Sequence, residues 1–153
     1  MLEGFHFQNA YVTRDLAGGI RKIEAMASVR KKILFETVLS VKTPEGNASL
    51  GVNAALLWVG NLQYELIEPR GGDLDVYTQA LPEDDGIRFH HICMRVPDWD
   101  AFRARVDLQS MPLVMEGETQ QVKYLYLDAR ASLGHYLEYY WTSDAHWSNM
   151  GGL

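Results

Sequence analysis

Short stretches of apolar and polar residues alternate along the chain and are separated by turn signals. Residues 5–12, FHFQNAYV, combine aromatic side chains with a β-branched end and predict a strand. Asp15 offers an N-cap for a helix that runs to about residue 29, because apolar residues follow it at helical spacing. Three further strands are predicted at residues 32–43, 48–60 and 62–69, separated by turns at TPEGN and at Gly60–Asn61.

The pattern then stops and begins again. Residues 70–87 are polar and rich in Gly, Asp and Pro, which predicts a linker with a short helix near LDVYTQAL. A new strand, RFHHICMRV, follows, and Asp98 or Asp100 can cap a helix to about residue 108. The last three predicted strands are PLVMEGET, VKYLYLDA and HYLEYYWT.

The same unit of supersecondary structure is therefore predicted twice. His91 stands 83 residues after Gln8, and Asp98 stands 83 residues after Asp15. This equal offset supports a repeat even though the two halves share little sequence. We predict an α+β fold of two paired βαβββ modules, each a four-stranded mixed sheet with its helix on the convex side. One domain would span residues 1–153, with module 1 at about 5–69, the linker at about 70–87, module 2 at about 88–142, and a C-terminal tail.

Composition and charge narrow the classes of partner. The chain has 153 residues, 47% hydrophobic content and a net charge of −6, so a duplex-binding surface is not expected. No apolar run approaches the ~20 residues that cross a bilayer, and the first residues do not resemble a secretory signal. Cys93 is the only cysteine, which fits a reducing compartment. These features predict a cytoplasmic protein without nucleic-acid or membrane partners.

Strand parity brings polar candidates to one face of each module. On the first strands, His91 shares its face with Cys93 and Arg95, and Gln8 shares its face with His6. On the last strands, two glutamates stand among apolar neighbours, where an unpaired buried carboxylate is costly and favours a metal or Arg95 as partner; they are Glu65 and Glu138. The neighbouring His90 falls on the apolar side of its strand and is interpreted as a surface or edge histidine.

Four segments resemble the vicinal oxygen chelate superfamily, which includes glyoxalase-like, bleomycin resistance and methylmalonyl-CoA epimerase-like proteins. They stand in the right order and spacing: QNAYVTRDL (8–16), YELIEP (64–69), FHHICMRVPD (89–98) and LGHYLEYY (133–140). The resemblance implies paired βαβββ modules that curl into a cleft holding one divalent metal. The ligand positions that it carries over are Gln8, Glu65, His91 and Glu138. Many relatives have His where Gln8 stands, so this position departs from the commoner pattern, and His6 is the alternative ligand.

The chemistry of this set predicts a metal-dependent enzyme. One imidazole and three oxygen ligands suit Mn²⁺, Co²⁺, Ni²⁺, Fe²⁺, Mg²⁺ or Zn²⁺. We predict an isomerase, epimerase or lyase that acts on a small oxygen-chelating substrate through an enolate-like intermediate, with Glu65 and Glu138 as catalytic groups. Arg95, Tyr136 and Tyr140 are predicted to bind the substrate, and relatives suggest a homodimer.

Two other functions remain open at this point. The first is a non-catalytic protein of the same fold that sequesters or carries a small apolar molecule. The second is an extradiol-type Fe²⁺ dioxygenase, which ranks lower because such sites need two histidines and only His91 falls on a mapped ligand position.

Overall fold

The computed structural model describes residues 2–153, which form eight strands, four helices and one 3₁₀ turn at Thr78–Ala80. The strands are β1 (Phe5–Thr13), β2 (Lys31–Thr43), β3 (Gly46–Val59), β4 (Leu62–Gly72), β5 (Ile87–Arg95), β6 (Leu113–Glu118), β7 (Val122–Asp128) and β8 (Tyr136–Thr142). The helices are α1 (Leu16–Met26), α2 (Trp99–Val106), α3 (Arg130–Leu133) and α4 (Asp144–Met150). The predicted α+β fold with a repeated βαβββ order is confirmed.

The eight strands form one curled sheet that closes on itself in the order β1-β4-β3-β2-β6-β7-β8-β5. Each module is mixed, because its first and last strands are parallel and its other pairs are antiparallel. The modules join along β1 and β5 over eight residue pairs, whereas β2 meets β6 through the single pair Lys42–Glu116. The expected two sheets are thus one continuous barrel, because the first strands of the two modules pair with each other.

The two long helices cover the outside of the barrel, as predicted from their spacing. Asp15 caps α1 by accepting from Gly18 N at 2.9 Å, and Asp98 rather than Asp100 caps α2 by accepting from Ala101 N at 3.0 Å. Ile23 of α1 packs on apolar side chains of β3 and β4, and Phe102 of α2 packs on β5, β7 and β8. The outer face of each last strand is therefore fixed against a helix, which directs the alternate residues inward.

The C-terminal tail contains a helix that the sequence analysis did not predict. Ser143 caps α4 by accepting from His146 N at 3.2 Å, and Trp147 of α4 is buried against Phe7 and Trp58. The Trp58 indole donates to Met150 O at 2.8 Å. These contacts hold α4 across one end of the barrel.

The linker covers other inner residues. Val76 and Tyr77 are buried in an inner cluster with residues from β1, β2, β3, β4, β6, β7 and β8. The Tyr77 hydroxyl forms a 2.9 Å hydrogen bond with the Tyr126 hydroxyl of β7. The short helix that was expected near residues 74–81 is the single 3₁₀ turn Thr78–Ala80. Within residues 2–153, no helix has both the length and the apolar character needed to cross a membrane.

Candidate functional site

Three ionisable side chains from three strands meet inside the barrel. Ligand atoms of Glu65, His91 and Glu138 all lie within 4.8 Å of one another. His91 Nε2 is 2.9 Å from Glu138 Oε2 and 3.6 Å from Glu65 Oε2. The His91 side chain is fully buried, whereas 14% and 11% of the side-chain surface of Glu65 and Glu138 is exposed. The cluster is therefore enclosed but keeps some contact with solvent through its two glutamates.

Internal symmetry of the two modules explains why these residues meet. In module 1, Gln8 of β1 pairs with Gln63 of β4, and the next inward pair is Ala10 with Glu65. In module 2, His91 of β5 pairs with Tyr136 of β8, and the next inward pair joins Cys93 to Glu138. The modules are also paired with each other, because Gln8 lies opposite Cys93 and Ala10 opposite His91. Equivalent positions of the two modules thus face a common centre.

A β-bulge in β5 turns two adjacent histidines toward the interior. Ala10 pairs with His91, but the next residue, Tyr11, pairs with Phe89, so His90 is an extra residue in the ladder. Such a bulge breaks the alternation of side chains and re-aims them. His90 is only 3% exposed, so its interpretation as a surface or edge histidine is wrong. Strand parity could not predict this, because the parity rule assumes an unbroken ladder.

The two histidines form a hydrogen-bonded chain that ends at the carboxylates. His90 Nε2 lies 2.8 Å from Val76 O of the linker, and His90 Nδ1 lies 2.9 Å from His91 Nδ1. His91 Nε2 continues the chain to Glu138. The Tyr126 hydroxyl also lies 3.4 Å from His91 Nε2. Burial lowers the pKa of each imidazole to about 3, so both rings are neutral near pH 7.

Burial removes water from the carboxyl groups of Glu65 and Glu138 and therefore disfavours their ionised forms. Burial, followed by the neighbouring Glu138, raises the pKa of Glu65 well above its usual range. Burial raises the pKa of Glu138 to about 8, although a hydrogen bond from the Cys93 thiol opposes this shift. Two such groups close together cannot both ionise without a compensating cation.

Gln8 reaches the interior beside this cluster and is only 6% exposed. Its Nε2 donates to Gln63 Oε1 at 2.7 Å, while its own Oε1 is buried without a hydrogen-bond partner. A buried acceptor without a partner is uncommon in proteins and calls for an explanation. Sequence reasoning did not single out Gln63, although it shares a strand face with Glu65.

The alternative ligand His6 lies outside the cluster. It is exposed, and its Nε2 contacts Asn9 Oδ1 at 2.8 Å. The physical reason is a second bulge, since His6 pairs with Met94 and Gln8 pairs with Cys93, which leaves Phe7 as the extra residue. His6 and Gln8 therefore do not share the inner face, contrary to the expectation from parity.

The three residues that were predicted to bind substrate have other partners. Arg95 contacts Asp144 at 2.6 Å and lies over the Trp147 ring at 4.6 Å, so it holds α4. The Tyr140 hydroxyl donates to the Met150 sulfur at 3.5 Å, again at α4. Of the three, Tyr136 lies nearest the cluster's histidines, because its ring stacks on the ring of His90, the neighbour of His91, at 4.8 Å.

Comparison with known families now identifies the fold. Residues 7–126 match the model of the Glyoxalase/Bleomycin resistance protein/Dioxygenase superfamily. The chain belongs to this superfamily. The matched range includes three of the four mapped ligand positions and parts of both modules, as the sequence resemblance implied. No curated protein sequence matched the chain.

Solved structures of the superfamily fold are similar over nearly the whole chain. A Streptomyces coelicolor methylmalonyl-CoA epimerase is 18% identical with a TM-score of 0.64, covering 92% of this chain and 98% of that one. The Mycobacterium tuberculosis methylmalonyl-CoA epimerase is also 18% identical, with a TM-score of 0.55 and 97% of each chain covered. A hypothetical protein from Bacillus halodurans is 15% identical with a TM-score of 0.53, covering 91% and 94%. At these identities the likeness concerns the fold.

The residues of the superfamily site in this chain fit a divalent cation. The three converging groups supply one neutral imidazole and two carboxylates, which together balance a charge of +2. The unpartnered Gln8 Oε1, on the neighbouring strand β1, is a candidate for the fourth donor and the third oxygen. A cation held by this donor set would compensate both the crowded carboxyl groups and the buried amide oxygen.

Proposed function

We propose that this protein is a metal-dependent isomerase or epimerase that acts on a small oxygen-chelating substrate through an enolate-like intermediate. The observation that carries the proposal is the convergence of one imidazole and two carboxylates within 4.8 Å inside the barrel. Burying two carboxylates together is costly unless a cation or protons compensate them. One imidazole and two carboxylates are also a donor combination that suits a divalent cation.

Glu65, His91 and Glu138 would hold the cation, with Gln8 Oε1 as the fourth ligand. When bound, a divalent cation supplies Lewis-acid polarisation of a carbonyl oxygen and stabilises the negative charge of an enolate. Mn²⁺, Co²⁺, Ni²⁺, Fe²⁺, Mg²⁺ and Zn²⁺ all remain compatible with this mixed donor set.

The two glutamates are the groups that would move protons. Epimerisation removes a proton from one face of a carbon beside a carbonyl and delivers one to the other face, so it needs an acid and a base on two sides. Glu65 comes from β4 and Glu138 from β8, in opposite modules. Glu65 is the first candidate base, because its carboxylate is 3.6 Å from His91, beyond hydrogen-bonding distance, whereas Glu138 is bonded to His91 at 2.9 Å.

Metal titration tests the proposal directly. Metal-free protein would be titrated by calorimetry with Mn²⁺, Co²⁺, Ni²⁺ and Zn²⁺. We expect wild-type protein to bind, His91→Ala to lose binding because it removes the only imidazole of the cluster, and the matched control His6→Ala to bind like wild type. A wild-type protein that takes up none of these ions would exclude the metal-dependent enzyme and favour the small-molecule binding protein.

A proton-exchange assay tests the chemistry. One of the similar structures is a methylmalonyl-CoA epimerase in complex with methylmalonyl-CoA, which makes this thioester the first probe. Metal-loaded protein in D₂O should introduce deuterium at the carbon between the two carbonyl groups. Glu65→Gln keeps an oxygen at the ligand position but cannot take a proton, so the exchange rate should fall by ~10²–10⁴-fold with metal still bound. The glyoxalase-type lyase reaction, the homodimer and the cytoplasmic location remain predictions.

A further inference from the structure

The bulged histidine of β5 has no role in the ligand set, yet it is buried and bonded at both ring nitrogens. Its Nε2 faces a backbone carbonyl, Val76 O, at 2.8 Å, and its Nδ1 faces His91 Nδ1 at 2.9 Å. Its ring is held between two tyrosines, stacking on Tyr136 at 4.8 Å and lying 5.2 Å from Tyr77. Side chains of the linker and β8 therefore fix the orientation of the His90 ring.

We propose that His90 is a positioning residue that holds His91 in the tautomer with hydrogen on Nδ1 and leaves His91 Nε2 bare toward the carboxylates. The hydrogen bonds require this arrangement when both rings are neutral. A carbonyl oxygen can only accept, so His90 must carry its hydrogen on Nε2, and its Nδ1 must accept. His91 Nδ1 then has to be the donor and its Nε2 keeps a lone pair, so in the metal-free protein the Glu138 carboxyl group donates the hydrogen of the 2.9 Å contact.

The consequence for metal binding rests on the proposed function. An imidazole can ligate only through a bare nitrogen, and a hydrogen bond from its other nitrogen fixes both the tautomer and the orientation of the ring. Here the bare nitrogen is the one that lies 2.9 Å from Glu138 and 3.6 Å from Glu65. The Val76 carbonyl thus orients the ligand histidine through His90, from outside the strand that carries it.

Module 1 has no histidine at the position that corresponds to His90. Phe7 is the bulged residue of β1 and stands 83 residues before His90, as Gln8 stands 83 before His91. Phe7 packs edge-on against Trp147 at 4.8 Å. A phenyl ring at the bulge therefore fits the fold, so His90→Phe is a conservative change of shape that removes both nitrogens.

The tautomer can be read without activity or metal. In metal-free protein with ¹⁵N-labelled histidine, long-range ¹H–¹⁵N correlation spectra near pH 7 distinguish the two tautomers, and His91→Ala assigns the His91 signals. We expect His91 to be protonated on Nδ1 in wild type. His90→Asn keeps an acceptor near the Nδ1 position and should preserve that tautomer, whereas His90→Phe should shift His91 toward hydrogen on Nε2, where Glu138 can accept it.

Metal affinity provides the second readout. His90→Phe should weaken uptake of Zn²⁺ or Ni²⁺ by ~10–100-fold, while His90→Asn should stay within a few-fold of wild type. A wild-type His91 with hydrogen on Nε2 would overturn the inference, and if His90→Phe does not fold, this wild-type spectrum and His90→Asn still decide it. The expected tautomer with no metal uptake would instead contradict the proposed function and leave the positioning role intact.

Discussion

The side-chain amides of Gln8 and Gln63 form a 2.7 Å hydrogen bond between the parallel strands β1 and β4. In this orientation the Gln8 Nε2 hydrogen and the Gln63 oxygen form the bond, which leaves Gln8 Oε1 and Gln63 Nε2 without partners. The remaining atom, Gln8 Oε1, is a buried oxygen without a partner. An oxygen in that state is available to a cation, and Gln63 is the residue that makes it so.

Replacing Gln8 by histidine should strengthen metal binding. An imidazole has a ligating nitrogen and an N–H, so histidine at this position can bind the cation and still donate to Gln63. Zn²⁺ and Ni²⁺ prefer imidazole to a neutral amide oxygen. We expect Gln8→His to tighten binding of these ions by about tenfold or more, equivalent to ~1.4 kcal/mol, in calorimetric titration.

His6→Ala is the control for this experiment. Because His6 is exposed and bonded to Asn9, its removal should leave metal affinity unchanged in both the wild-type and the Gln8→His backgrounds. If His6→Ala weakened binding while Gln8→His had no effect, the first strand would be shifted in register and His6 would be the ligand. That result would contradict the β1–β5 pairing described above.

The metal-free protein should lose stability as the pH rises from about 7 to about 8. The folded-state pKa of Glu138 is raised to about 8 from 4.5, so the folded protein keeps a proton that the unfolded chain releases. The contribution of protonated Glu138 to the free energy of unfolding is complete below pH ~4.5 and is lost as the pH rises through about 8. His90 and His91 have the opposite effect, because their pKa values fall from 6.5 to about 3 and their contribution is lost as the pH drops through that window.

Urea denaturation across this range measures the prediction. The histidines of the unfolded chain are half protonated at pH ~6.5 and mostly neutral above pH ~7, so the falling slope above pH ~7 belongs mainly to the carboxyl groups. Glu138→Gln should flatten the slope, and saturating metal should remove it, since a cation stabilises the ionised carboxylates. Glu116→Gln is a control on the partly exposed β6 strand and should keep the wild-type slope. A metal-free protein that becomes more stable between pH 7 and 8 would contradict the protonated carboxyl pair.

Strand parity and the repeat single out Glu65, His91 and Glu138 as polar candidates, because alternation holds wherever a strand is unbroken, and the family resemblance predicts that they meet in one cleft. The same rule fails for His90 and for His6, since an extra residue in β5 and another in β1 shift the inward face by one position. A bulge depends on the partner strand, so a single strand's sequence does not reveal it. The ligand roles of these residues remain predictions.

The C-terminal helix was missed for a different reason. Residues 144–150, DAHWSNM, are too short to display a helical period, and an isolated helix of this length is not stable in water. What stabilises α4 is tertiary contact: Trp147 on Phe7 and Trp58, and Arg30 donating to Gly151 O at 2.6 Å. No local pattern predicts contacts between residues that are so far apart along the chain.

Removing the Trp147 side chain should therefore destabilise the whole barrel rather than fray its end. Trp147 is 6% exposed and lies edge-on to Phe7 at 4.8 Å and to Trp58 at 5.7 Å, so Trp147→Ala would leave a large cavity beside these two rings. Truncations of this size cost ~3–5 kcal/mol, which urea denaturation resolves. Leu108→Ala, on a side chain that is 85% exposed, should stay within ~0.5 kcal/mol of wild type. If Trp147→Ala were equally mild, α4 would be a dispensable appendage, and the barrel end would have to be closed by the Phe7 and Trp58 rings alone.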